Sequence, residues 1–160
     1  RTDMGYALKA EDIFWCKQGI LWTKQLRDSE DEEMVVDICA SIVLGDPIAR
    51  SKEYFDKIYD EGTTEYEYLR REFYRYGRDR LKEEVKVTLS VLRAVIEDFS
   101  SQSNALRSVV NPGARNPIKS SFFSIFMAFH KLLVVEEKTP EDYPRIIKSL
   151  EGLQKSMIVT

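Results

Sequence analysis

The sequence predicts an all-α fold, a single bundle of about six helices over residues 1–160 with one long helix that is kinked. Apolar residues recur at spacings of three and four along most of the chain, as on one face of an α-helix. Residue types that start and stop helices stand between these stripes. Seven Gly and five Pro are too few for an all-β fold, which needs a turn signal about every 8–12 residues.

Three helices are predicted in the first part of the chain. Their bounds are about Leu8 to Leu26, Ser29 to Gly45 and Ser51 to Gly62. The second begins with a capping box, in which Ser29 accepts a hydrogen bond from a backbone N–H and Glu32 reaches back. Gly45 ends it, since glycine adopts the left-handed conformation common after a helix.

The longest helical segment follows, from Thr64 to about Phe99. Thr64 opens it with a second capping box. Its apolar stripe jumps by five residues between Tyr76 and Leu81, and Gly77 lies at that jump. We therefore expect a kink or a break at Gly77.

A polar stretch, Ser100 to Asn116, is predicted to be mostly loop because it is rich in Ser, Asn, Gly and Pro. A helix from Ile118 to about Glu136 follows. The last helix is predicted to have Thr139 as its N-cap and Pro140 at its first position. The predicted core contains large apolar residues from these stripes: Ile38, Leu89, Leu92, Phe122 and Phe126.

The composition of the chain limits its binding to nucleic acid and to membranes. A net charge of −3 gives no bulk attraction to nucleic acid or to anionic membranes, so such binding would need a local basic patch. The apolar runs fall short of the roughly 20 residues that span a bilayer, so no membrane partner is expected. Cys16 and Cys39 lie on apolar helix faces and are expected to be buried free thiols, which favours a cytoplasmic protein.

No catalytic, cofactor or metal motif is present in the sequence, so we expect the isolated chain to have no enzymatic activity. The only histidine, His130, shares its helix face with Phe123 and Met127 and with no carboxylate. It is interpreted as a packing residue, with a lone catalytic base as the alternative. The acidic run Glu30–Glu33 could bind a divalent cation weakly, but its position in the first turn of a helix is explained by the helix dipole.

One charged segment has the composition of a phosphate-binding surface. Between Arg70 and Lys82, six cations alternate with three aromatic residues. The alternative is a solvated helix face with pairs such as Glu67–Arg71. The polar loop adds a second, smaller patch. The predicted nucleic-acid contacts are Arg70, Arg71, Arg75, Arg78, Lys82, Arg115 and Lys119.

Three segments resemble the ParB-like proteins related to the GmrSD type IV restriction enzymes. The helix Met34–Gly45 followed by Ser51–Asp60, with Ile58-Tyr59 before Asp60, is similar to a recurrent pair of helices in that family. The run Asn116–Phe126 is similar to its polar loop leading into a helix that starts with aromatic residues. Residues Gly5–Glu11 are similar to the element that leaves its nuclease-like domain.

The resemblance implies a helical domain of a larger, multidomain protein. The family's Asp-Gly-Gln-Gln-Arg motif would lie before Arg1, and an HNH-type nuclease domain would follow Thr160. The parent protein would be a nuclease or an NTPase, and no catalytic residue can be assigned to this chain.

Three hypotheses result. The first is a non-catalytic domain of a phage-defence protein that supports DNA binding or the assembly of neighbouring nuclease-like domains. The second is a protein-interaction module, which includes homo-oligomerisation. The third is a small-molecule-binding helical enzyme domain, for which the sequence shows no site.

Overall fold

The computed structural model of the chain describes residues 9–45 and 52–158, and no described residue lies in a β-strand. The all-α prediction is confirmed, although the described helices are shorter and more numerous than predicted. In chain order they are α1 (Phe14–Lys17), α2 (Thr23–Arg27), α3 (Glu30–Leu44), α4 (Lys52–Tyr59), α5 (Thr64–Tyr76), α6 (Arg78–Phe99), α7 (Ala105–Val110), α8 (Lys119–His130), α9 (Tyr143–Leu150) and α10 (Leu153–Ile158). A 3-10 turn (Ala10–Asp12) precedes α1, and a π-helical turn (Lys131–Val135) continues α8. The predicted helix start at Leu8 and the predicted cap Ser51 lie outside the described residues.

The single first helix predicted up to Leu26 was wrong, because the chain breaks at Gly19. Gly19 has φ +70°, and a Cβ there would lie 2.9 Å from side-chain atoms of Arg107 and Asn104. The backbone of this turn binds distant segments, since Asn104 N donates to Lys17 O at 2.6 Å and Ile118 N donates to Gly19 O at 3.2 Å. Tertiary contacts therefore interrupt a stripe that looks continuous in the sequence.

The ends of α3 confirm one prediction and correct another. Gly45 ends the helix in the left-handed region, with φ 75°. Ser29 makes no capping hydrogen bond, because it is itself left-handed, with φ 59°. The carboxylate of Glu30 instead accepts hydrogen bonds from Gln25 Nε2 at 2.9 Å and from Lys119 Nζ at 3.0 Å.

The predicted break in the longest segment is confirmed. Gly77, with φ 92° and ψ 128°, separates α5 from α6, the longest helix described. The N-cap of α5 is Thr63 and not Thr64, since Thr63 Oγ1 accepts a hydrogen bond from Tyr66 N at 3.2 Å.

Two boundaries in the C-terminal half were also predicted wrongly. The expected loop between Ser100 and Asn116 contains α7, whose buried residues include Leu106, Val109 and Val110. The last predicted helix begins at Tyr143 and not at Pro140, because Asp142 is its cap: Asp142 Oδ1 accepts a hydrogen bond from Arg145 N at 2.9 Å.

The core lies where α6 and α3 pack against α8, and α9 also packs against α6 and adds Ile147 to this core. Phe122 and Phe126 of α8 are at most 1% exposed, and Phe14 and Trp15 meet Phe122 edge-on, with ring centroids 6.2 Å and 5.5 Å away. Ile38 and Leu92 are buried as predicted. Leu89, which was also predicted to be in the core, is only partly buried and packs against its edge. Both cysteines are free and partly buried.

Candidate nucleic-acid interface

A groove runs along one side of α5 and α6 and crosses the break at Gly77. It consists of two hollows of about 810 Å³ and about 610 Å³ that share Arg78 and Leu81 in their walls. We call this feature the α5–α6 groove. Its described lining contains six cations and one carboxylate, Glu67. The cations are Arg70, Arg71, Arg78, Lys82, Lys86 and Arg93.

The structure places the predicted contact residues unequally. Arg70 and Arg71 line the first hollow, Lys82 lines the second, and Arg78 lines both. Arg75 is not among the described lining residues. Because Gly77 interrupts the helix, positions 71, 75, 78 and 82 do not share the single straight face that their spacing suggested.

Ion pairs within α5 neutralise part of the positive charge of the predicted contact residues. Arg70 lies 3.6 Å from Glu67, while Arg71 and Arg75 lie 3.5 Å and 2.9 Å from the same Glu72 oxygen. The predicted pair Glu67–Arg71 is therefore replaced by Glu67–Arg70. All three arginine side chains are more than half exposed, so these pairs are weak and can be exchanged for other anions.

Arg78 and Lys82 differ from the other predicted contacts. Neither makes an ion pair with any residue in the described part of the chain. Both are exposed and lie one helical turn apart at the start of α6. They are the free positive charges at the centre of the groove.

The floor of the groove is apolar. Phe73 and Leu81 line the first hollow, and Leu81, Val85 and Leu89 line the second. Cys39 of α3 closes the second hollow, and burial raises the pKa of its thiol, so it is a neutral, apolar wall.

Sequence reasoning missed two members of the groove, Lys86 and Arg93. They lie beyond the predicted segment, but positions 78, 82, 86 and 93 fall on one side of a helix. That spacing was the signal that could have found them. Lys86 lies 3.6 Å from Glu83, and Arg93 lies 3.9 Å from Glu97.

The second predicted patch does not join the groove. Lys119 Nζ lies 3.0 Å from Glu30 Oε2 and 3.7 Å from Glu33 Oε2, so it holds α8 to α3. Arg115 is exposed in the loop before α8, where its backbone carbonyl accepts a hydrogen bond from Arg107 Nη1 at 3.0 Å. The structure therefore brings Arg70, Arg71, Arg78 and Lys82 together and leaves Arg115 and Lys119 elsewhere.

Behind the groove, the side chain of Glu84 is only 11% exposed and holds three helices together. Its carboxylate accepts hydrogen bonds from the Tyr76 hydroxyl at the end of α5, from Arg80 Nε at 2.8 Å and from His130 Nε2 at 3.1 Å. We call these four residues the Glu84 cluster. Because an ionised carboxylate only accepts hydrogen bonds, the Nε2 atom of His130 carries a proton.

This cluster corrects the interpretation of His130. The histidine is buried, as a packing residue would be, but it contacts a carboxylate that lies 46 residues away on α6. The missed signal was Glu84 itself, which shares a helix face with Leu81 and Thr88, both of them buried.

The cluster shifts the pKa values of its members. Burial raises the pKa of Glu84, but the hydrogen bonds from Tyr76, His130 and Arg80 lower it by more, so this pKa lies below its ordinary value. Burial and the hydrogen bond to Glu84 raise the pKa of Tyr76 to about 12. Glu84 therefore stays ionised and Tyr76 stays protonated at neutral pH. Because its hydrogen bonds join α5, α6 and α8, the cluster has a structural role.

The described residues offer neither a metal site nor a membrane span. Among residues 9–45 and 52–158, no group of three or more His, Cys, Asp and Glu side chains is arranged to hold a metal ion. In the acidic run at the start of α3, Glu30 and Glu33 are bound by Lys119. Within the same ranges, every helix is too short or too polar to cross a bilayer.

Comparison of the chain with models of known protein families, with curated proteins and with solved structures finds no match in any of the three. The resemblance to the GmrSD-related ParB-like proteins therefore remains a prediction and rests only on the residue patterns described above.

Proposed function

We propose that this chain is a non-catalytic helical module that binds nucleic acid through the α5–α6 groove. One observation carries the proposal: the described residues that line the groove include six cations and a single carboxylate, in a protein whose net charge is −3. Such a local concentration of positive charge against an acidic background is the electrostatic pattern of a polyanion-binding surface.

Arg78 and Lys82 are the principal contacts in this proposal, because within the described part of the chain no carboxylate forms an ion pair with either of them. Arg70, Arg71, Lys86 and Arg93 each exchange an exposed ion pair for a phosphate, at little cost. Each phosphate that is neutralised releases counterions from the nucleic acid, which favours binding at low salt.

The proposal includes the biological setting that the resemblance implies. The module would sit beside nuclease-like domains of a parent phage-defence protein and hold DNA for them. The chemistry of cleavage would belong to those domains and not to this chain.

The test is a binding titration of the full chain with labelled DNA at about 50 mM and about 200 mM salt. We expect affinity to fall steeply with salt. The double variant Arg78→Glu, Lys82→Glu should bind more weakly and show a log–log salt slope reduced by about two, one for each lost phosphate contact.

The matched control is Lys24→Glu, Arg27→Glu. It makes the same change of net charge at two exposed residues of α2, away from the groove. Equal losses in both double variants, or no binding at low salt, would refute the proposal.

A protein-interaction module is the second candidate, and the apolar floor of the groove favours it. An amphipathic helix with acidic residues would place its apolar side on Phe73, Leu81 and Val85 and its carboxylates on the rim. Binding of an acidic amphipathic peptide in preference to DNA would select this candidate.

A further inference from the structure

We infer that the ligand of the α5–α6 groove is a single-stranded nucleic acid, whose bases lie on the apolar floor and stack on Tyr74. This inference rests on the proposed function and adds to it the kind of strand. Two features of the groove lead to it: its apolar floor and its exposed aromatic ring.

The apolar floor of the groove would not contribute to the binding of a duplex. The outer surface of double-stranded nucleic acid is sugar and phosphate, which would contact the cationic rim and leave the exposed parts of Phe73 and Val85 facing water. A single strand presents unpaired bases as well as phosphates. Its bases can cover the apolar floor while its phosphates reach the rim, as in the stacking grooves of single-strand-binding folds.

Tyr74 provides the stacking surface. It lines the first hollow beside Arg70 and Arg78 and is 90% exposed. A tyrosine ring this exposed contributes almost nothing to packing, whereas the preceding residue, Phe73, is partly buried and packs against the core. An exposed ring next to unpaired positive charge is the arrangement that stacks a base and holds the neighbouring phosphate.

The test compares a fluorescein-labelled oligothymidylate of about 12 nucleotides with a duplex of the same length, by fluorescence anisotropy with the full chain. We expect the single strand to bind more tightly. Tyr74→Ala should weaken its binding by at least about fivefold, the loss of one stacked base, and should leave duplex binding unchanged. Tyr74→Phe, which keeps the ring, should bind like the unaltered chain. Because Tyr74 is so exposed, neither change should affect folding.

Tyr59→Ala is the matched control, since Tyr59 is 55% exposed on α4 and does not line the groove. Equal or tighter duplex binding, or equal losses for Tyr74→Ala and Tyr59→Ala, would overturn the inference. In those cases a requirement for Arg78 and Lys82 would leave the proposed function standing. If an acidic amphipathic peptide binds and neither form of DNA does, both proposals fail.

Discussion

Removing the carboxylate of Glu84 is expected to destabilise the whole fold. In Glu84→Ala, the Tyr76 hydroxyl and the His130 ring lose a partner inside the protein, and each unsatisfied group costs about 1–3 kcal/mol. Loss of the ion pair between Arg80 and Glu84 adds little to this cost, because the arginine side chain is 63% exposed. We therefore expect a loss of about 3–5 kcal/mol in the free energy of unfolding, within the range for breaking a buried charged pair.

The assay is urea unfolding followed by circular dichroism at neutral pH, with Glu83→Ala as the matched control. Glu83 is the preceding residue, but its side chain is 63% exposed, and among residues 9–45 and 52–158 it pairs only with Lys86, at 3.6 Å. Its removal should change stability by less than about 0.5 kcal/mol. A loss below about 1 kcal/mol in Glu84→Ala, or equal losses in the two variants, would refute the assigned role of the cluster.

Two further predictions concern stability. Phe126→Ala should cost about 3–5 kcal/mol, since Phe126 is 1% exposed and its removal leaves a cavity; unfolding at the same urea midpoint as the unaltered chain would contradict the assigned core. The stabilisation from Glu84 should also depend on pH, because its folded-state pKa is lowered from the ordinary glutamate value of 4.5. It should be complete above pH 4.5 and disappear as pH falls through the lower folded-state pKa, so the unaltered chain and Glu84→Ala should converge in stability under acid; a constant difference down to the acid transition would contradict this.

The sequence was sufficient to predict a helix end where the backbone conformation depends on a single glycine. Gly45 and Gly77 both adopt positive φ, and both were recognisable as helix ends from the stripes around them. The all-α class followed from periodicity, which reports the buried face of each helix directly.

The break at Gly19 and the helix α7 were not predicted, because both depend on contacts between segments that are distant in the sequence. Gly19 interrupts an apolar stripe because Asn104 and Arg107 pack against it, and no local pattern reveals that approach. In α7, a short apolar stripe lies between polar loop residues, and its burial outweighs a composition that favours a loop.

The candidate site was predictable only in part, for the same reason. The cations between Arg70 and Lys82 are visible as a composition, but the groove requires α3, α5 and α6 to be placed together. The partnership of Glu84 with His130 joins α6 to α8, and a sequence shows the two residues without showing that they meet.

The turn at Lys17–Gly19 has a consequence for how short this domain can be made. Its backbone carbonyls receive N–H groups from Asn104, Arg107 and Ile118, and the next two residues, Ile20 and Leu21, are almost fully buried. A shortened chain that began after Leu21 would leave those three N–H groups without their acceptors and would remove two residues of the core. The smallest unit able to fold therefore includes this turn, although it contains no long helix.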